Sequence, residues 1–244
     1  MVDLKKMEKI IIHAGLHKTG TSAIQKTLND NRDFLWENGY FYPDPYPFDA
    51  HHKFAARLNA TPSVEEGVKD VERTLVTYKK QAGGRVVLLS SEMFSESFDT
   101  NCFRTLPNIF RDIEIFFYVR RQDDLIESAY NQRIKQTTET RSIDEFQPYL
   151  WDIYSHLKRF SSAIEGAGVY ALEYNSNVFV NKDLNADFFE RVLGLHYDVP
   201  CLSEVSIINK SLSVVSCSLL SRLNKLPMTE QQRRDVIEYL MSNF

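Results

Sequence analysis

The feature that most constrains this chain is an apolar, β-branched run, Lys9-Ile10-Ile11-Ile12-His13, that ends at a glycine-bearing loop and is followed by Ser22 to Leu28, where apolar residues recur at helical spacing. Strand, loop and helix follow one another directly. Two further runs, Arg85 to Ser90 and Ile113 to Val119, are almost continuously apolar and read as strands buried on both faces, and a fourth strand is expected at Val169 to Glu173. Val64 to Gln81 carries apolar residues at helical intervals and stops at Gly83-Gly84, while Asp123 to Gln136 opens with two acids suited to a helix N-terminus. Strands alternating with helices predict an α/β fold with a mostly parallel sheet, helices on both faces and ligands at the carboxyl ends of the strands. A length of 244 residues fits one such domain, 1–244.

Gly15-Leu16-His17-Lys18-Thr19-Gly20-Thr21-Ser22 keeps the glycine spacing of a nucleotide phosphate loop, but Thr21 stands where the lysine would follow the second glycine, and the lysine has moved into the loop as Lys18. The expected architecture is therefore a P-loop-type three-layer sandwich. A strand feeding such a loop into a helix aims backbone N–H groups and the positive helix end at an anion, with Thr21 and Ser22 adding hydroxyl donors. The competing reading is a solvated lysine beside a well-capped helix.

Composition narrows the partners. The formal net charge of -4 argues against a general nucleic-acid coat and makes any anion site local. Cys102, Cys201 and Cys217 fit neither a disulfide framework nor a zinc motif, which suggests a reducing compartment. No apolar run is long enough for a signal segment or a membrane span, so a cytoplasmic location without stable membrane insertion is expected. Tyr40 to Asp49, with three prolines and several aromatics, reads as an ordered surface loop or lid. Ser211 to Phe244 reads as two helices broken near Leu226-Pro227, the second starting close to Met228 or Thr229.

Lys18-Thr19-Gly20-Thr21-Ser22-Ala23 resembles the 5′-phosphosulfate loop of sulfotransferases that use 3′-phosphoadenosine 5′-phosphosulfate (PAPS). It is closest to the Lys-Thr-Gly-Thr-Thr-Ala form of the heparan sulfate N-sulfotransferase domains and to bacterial sulfotransferases that open with Gly-x-His-Lys-Thr-Gly-Thr. In that family an arginine at a strand end, followed eight residues on by a serine, binds the donor's 3′-phosphate, and Arg120 and Ser128 have this spacing. Glu92, just past the run Val86 to Leu89, resembles the glutamate that serves as base, although Met93 replaces the lysine that often follows it. Gln132, four residues past Ser128, takes the place of a polar residue facing the acceptor, and Lys210 is a further donor-site candidate. The resemblance covers about the first 135 residues and thins beyond them.

The resemblance implies sulfuryl transfer from PAPS, with adenosine 3′,5′-bisphosphate (PAP) as product, to a hydroxyl or amine of a carbohydrate-like acceptor. Lys18 and Glu92 would be catalytic, Thr19 to Ser22 with Arg120 and Ser128 would hold the donor, and Gln132 with His51 would face the acceptor. Aromatics such as Tyr40, Tyr42, Tyr46 and Phe48 could stack on sugar faces. No metal is called for, because no aspartate closes Val86 to Ser91 in the manner of magnesium-dependent phosphoryl transfer. The alternatives are a phosphate-loop kinase with a drifted loop and a catalytically silent nucleotide-binding protein. Oligomeric state is not encoded in any pattern found.

Overall fold

Five strands, β1 (Lys9–Ala14), β2 (Tyr40–Phe41), β3 (Val86–Ser91), β4 (Asp112–Val119) and β5 (Gly168–Glu173), lie in the order β2-β3-β1-β4-β5, every neighbouring pair parallel. Among the described residues the α-helices are α1 (Thr21–Asp30), α2 (Arg32–Glu37), α3 (His52–Ala60), α4 (Glu65–Ala82), α5 (Leu106–Ile109), α6 (Gln122–Gln136), α7 (Ile153–Ala163), α8 (Leu184–Arg191), α9 (Val214–Leu223) and α10 (Glu230–Asn243). The computed structural model describes residues 8–44, 49–60, 65–95, 100–146, 152–197 and 212–243. The chain forms two compact units, one from Met1–Val119 with Asp152–Pro200 and one from Arg120–Trp151 with Cys201–Phe244.

The first unit holds the whole sheet, and its strands are apolar on both faces because both faces are covered. On one face Ile11, Leu88, Phe116 and Tyr118 join Ile24 and Leu28 of α1, Leu35 of α2 and Phe188 and Phe189 of α8. On the other, Phe117 packs edge-on against Phe160 of α7 with ring centroids 5.2 Å apart. This is the three-layer α/β arrangement that the alternating pattern predicts. Ile10, Ile11 and Ile12 are each no more than 1% exposed, so each contributes on the order of 1.5–3 kcal/mol of apolar burial to holding the central strand.

The segment expected to be a surface loop or lid begins instead inside the structure. Tyr40 and Phe41 pair in register with Val86 and Val87 as the edge strand, and Tyr42 is buried with its hydroxyl donating to the Asp49 carbonyl at 2.7 Å. Tyr40 packs against the core cluster and the strand ends before Pro43, so packing of the aromatics outweighs the turn signal at this end of the segment. Tyr46, Phe48, Cys201 and Lys210 lie outside the described residues.

The second unit packs α6, α9 and α10 around Tyr130, Ile134, Leu212, Cys217, Leu220 and Leu240. Asn131, buried in α6, accepts from the Leu212 N–H at 3.0 Å and donates to the Leu212 carbonyl at 2.8 Å, so one amide side chain replaces a backbone partner before α9. The Arg233 guanidinium donates to the carbonyls of Ile134, Lys135 and Thr137, capping α6 from α10. The break at Pro227 is followed by Thr229, whose hydroxyl accepts from the Gln232 N–H while Gln232 Oε1 accepts from the Thr229 N–H, a reciprocal cap that fixes the expected start of α10. Among the described residues no helix is long and apolar enough to cross a membrane.

Candidate functional site

The phosphate-loop candidate is shaped by backbone geometry and by ties to the end of β3. The Gly15 N–H donates to the Ser91 carbonyl at 3.3 Å, and the Gly15 carbonyl accepts from Ser95 Oγ at 2.7 Å. A β-carbon on Gly15 would collide with the Thr21 methyl, so the loop closes this tightly only with glycine there. The buried Thr19 hydroxyl donates to the Leu16 carbonyl at 2.7 Å, which commits it to the loop and leaves the Thr19 amide as the group a ligand could use. Lys18 and Gly20 both adopt left-handed backbone conformations, with φ of 64° and 71°. For glycine this is free; for lysine it costs on the order of 1–2 kcal/mol, a strain the surrounding loop must hold in place.

Gly20 caps α1 through its backbone alone. Its carbonyl accepts from the N–H groups of Ala23 at 3.0 Å and Ile24 at 3.3 Å, so the N–H groups of Thr21 and Ser22 precede the helical ladder. No side chain caps this helix, and no acid lies in its first turn. The helix therefore supplies no carboxylate from its own first turn to offset the positive end of its dipole. Thr21 is buried, Ser22 is exposed and Lys18 is half-buried. This arrangement suits a multiply charged anion held by backbone amides, with a cation inside the same loop.

Glu92 opens a single 3-10 turn, Glu92–Phe94, at the end of β3, where Ser91 Oγ accepts from the Met93 N–H at 3.1 Å. The Glu92 side chain is half-buried, and its carbonyl accepts from Ser95 Oγ at 2.7 Å. Ser95 therefore touches both the Gly15 carbonyl and the Glu92 carbonyl, tying the base candidate's turn to the phosphate loop. The sequence does not single Ser95 out, because a serine four residues past a strand end carries no distinctive pattern.

His51 does not face an acceptor. It is 3% exposed, its Nδ1 accepts from the Ser90 N–H at 3.1 Å, and its Nε2 bonds the Pro43 carbonyl at 3.2 Å. With both ring nitrogens taken by backbone, it is a neutral strut between the chain after β2 and the end of β3, and burial lowers its pKa to about 4. The adjacent His52 bonds Ser91 Oγ through Nδ1 at 2.8 Å. His13, also fully buried, bonds Ser90 Oγ at 2.8 Å, and desolvation lowers its pKa to about 3.

Two residues behind the loop also escaped the sequence reading. A β-carbon on Gly20 would collide with Leu184 and press on the Tyr174 ring at 3.2 Å, so both side chains form the wall against which the loop turns. Leu184 is the first residue of α8, a helix capped by Asp183, which accepts from the Ala186 N–H. Asp187 anchors the segment before it by accepting from the Tyr118 hydroxyl at 2.8 Å and the Val180 N–H at 3.0 Å, with Arg191 alongside at 3.0 Å.

Lys18 to Ser22 and Glu92 belong to the first unit, as does the buried His51. Arg120, Ser128 and Gln132 belong to the second. Arg120 directly follows β4, and Ser128 and Gln132 stand four residues apart on α6, all three half-buried. Among the described residues no group of three or more His, Cys, Asp or Glu could hold a metal ion.

No family model matches the chain. A stretch of 141 residues, 57% of the chain, is 34% identical to an uncharacterized protein of Archaeoglobus fulgidus, and the match spans 38% of that protein's length. A sugar kinase from Janibacter sp. HTCC2649, solved without ligand, superposes on 77% of this chain and 93% of its own with a TM-score of 0.34 and 10% identity.

Proposed function

We propose that the chain is a PAPS-dependent sulfotransferase that transfers a sulfuryl group to a hydroxyl or amine of a carbohydrate-like acceptor. The observation that carries this reading is the uncapped, acid-free start of α1 behind a loop whose lysine lies inside it rather than after the second glycine. The amides of Thr21 and Ser22 suit the 5′-phosphosulfate, and Lys18 is close enough in the chain to meet the bridging oxygen on which charge grows. The acceptor oxygen or nitrogen attacks sulfur, the bond from sulfur to the bridging oxygen breaks, PAP leaves with that electron pair, and Glu92 takes the acceptor proton. By the resemblance to sulfotransferases, Arg120 and Ser128 would hold the 3′-phosphate. The end of β3 favours sulfuryl over phosphoryl transfer: Ser91 closes the strand and Glu92 follows it, where a magnesium-binding aspartate would stand.

Calorimetric titration with PAP, beside a titration with ATP and magnesium, tests the reading. Micromolar binding of PAP is expected. Lys18→Ala should lower turnover by about a hundredfold or more while PAP affinity changes only a few-fold, whereas Arg120→Ala should weaken PAP binding by about tenfold. Preference for magnesium ATP would replace the reading with a kinase, and PAP binding without transfer to any acceptor would leave a silent binding protein.

A further inference from the structure

We propose that a second pocket, at the far end of α1 from the phosphate loop, binds a neutral saccharide unit. The cavity, of about 330 Å³, is lined by the end of α1, by α2 and by the edge strand β2 with Tyr42. That volume is at the small end of the range for small-molecule sites and suits one compact ligand. Ten residues of α1 at about 1.5 Å each put its ends about 15 Å apart, so this pocket is separate from the loop at Gly20.

Its aromatic walls are fixed by contacts that lead away from the cavity. Trp36 is 40% exposed, yet its indole is locked because the Arg85 guanidinium lies 3.5 Å over the ring and Arg85 Nε donates to the Trp36 carbonyl at 2.9 Å. The Tyr40 hydroxyl donates to the Leu193 carbonyl, which engages its polar end, and Tyr42, 2% exposed with its hydroxyl on the Asp49 carbonyl, backs the cavity as buried ring. Phe41 meets Trp36 edge-on with centroids 5.9 Å apart. Ring surface held in place in this way packs against the C–H face of a ligand with little ordering cost.

The polar lining decides the ligand class. Asp30 and Asp33 outnumber Arg32 among the charged lining residues, which disfavours an anion. A carboxylate accepts two hydroxyl hydrogens at once, and Asn29 adds an amide whose Nδ2 is already fixed on Asp49 Oδ1 at 2.7 Å. A cationic amine has less to hold it, because Arg85 covers a face of Trp36 and Lys26 pairs with Asp30 at 2.8 Å, so the remaining lining charges, Asp33 and Arg32, are of opposite sign. A ligand with adjacent hydroxyls and an apolar C–H face satisfies both kinds of wall. The assignment is independent of sulfuryl transfer; it gives the protein a place to hold a glycan without modifying it.

Ligand-observed NMR on the full chain, with methyl glucoside, methyl galactoside and N-acetylglucosamine as probes and putrescine as the cationic control, tests it. At least one of the three sugars should bind in the millimolar range, with equal affinity in the presence of saturating PAP. Asp33→Asn, an exposed change that leaves the packing intact, should weaken that binding by about tenfold, the worth of one hydrogen bond to a charged group. Trp36→Ala should abolish it. Putrescine binding without sugar binding, sugar binding untouched by Asp33→Asn, or no binding by any probe would each overturn the proposal, whatever the outcome with PAP.

Discussion

The two ends of α1 are built by different means. Its N-terminus is shaped by backbone: two left-handed residues, glycines that admit no β-carbon, and amides that precede the helical ladder. Its C-terminus contributes to a pocket made of side chains from three successive elements, with Trp36 and Tyr42 held by contacts to residues outside the lining. A backbone site depends on a few positions absolutely, whereas a side-chain site spreads its dependence and loses affinity in steps.

The largest effect should come from Gly20→Ala. The new methyl meets Leu184 and the residue must hold φ of 71°, so loss of PAP binding beyond detection is expected, with destabilisation of about 2 kcal/mol or more in urea unfolding. Retained PAP affinity would show that the loop rearranges freely and that the two ends do not differ in kind. Next in size is an acid effect to which the buried histidines at the ends of β1 and β3 contribute. His13 and His51 are held neutral with pKa values of about 3 and about 4, below the ordinary histidine value near 6.5. The unfolded chain takes up protons below about pH 6.5 while the folded chain does not, so stability is full above that pH and falls as the pH drops towards 4. His51→Gln should make the fall in urea midpoint between pH 7 and pH 4.5 shallower than in the unaltered chain, and an equal fall would remove His51 from this account. The smallest effect is expected from Lys26→Gln, which breaks an exposed pair with Asp30 and should change stability by less than about 0.5 kcal/mol.

The comparison also shows what a sequence exposes. The central strands were legible because burial on both faces leaves an unbroken apolar run, and the phosphate loop because its demands fall on consecutive residues. β2 was hidden: two residues carry no periodicity, and the prolines around them speak for a turn. His51 reads as a polar residue near a site, and only the positions of Ser90 and Pro43 reveal that both nitrogens are occupied. Leu184 and Tyr174 are ordinary residues far along the chain, and their role exists only through contact with Gly20.

The cap that Arg233 places on α6 ties the order of synthesis to the order of folding. The carbonyls it satisfies, from Ile134 to Thr137, leave the ribosome about a hundred residues before the arginine does, a delay of on the order of 5–20 seconds at ordinary bacterial elongation rates. During that interval the helix that carries Ser128 and Gln132 lacks its final clasp, and Asn131 waits for Leu212. The first unit, too, receives β5 only after α6 has been made. Completion of both units therefore waits for segments made after α6: β5 for the sheet and α10 for the cap.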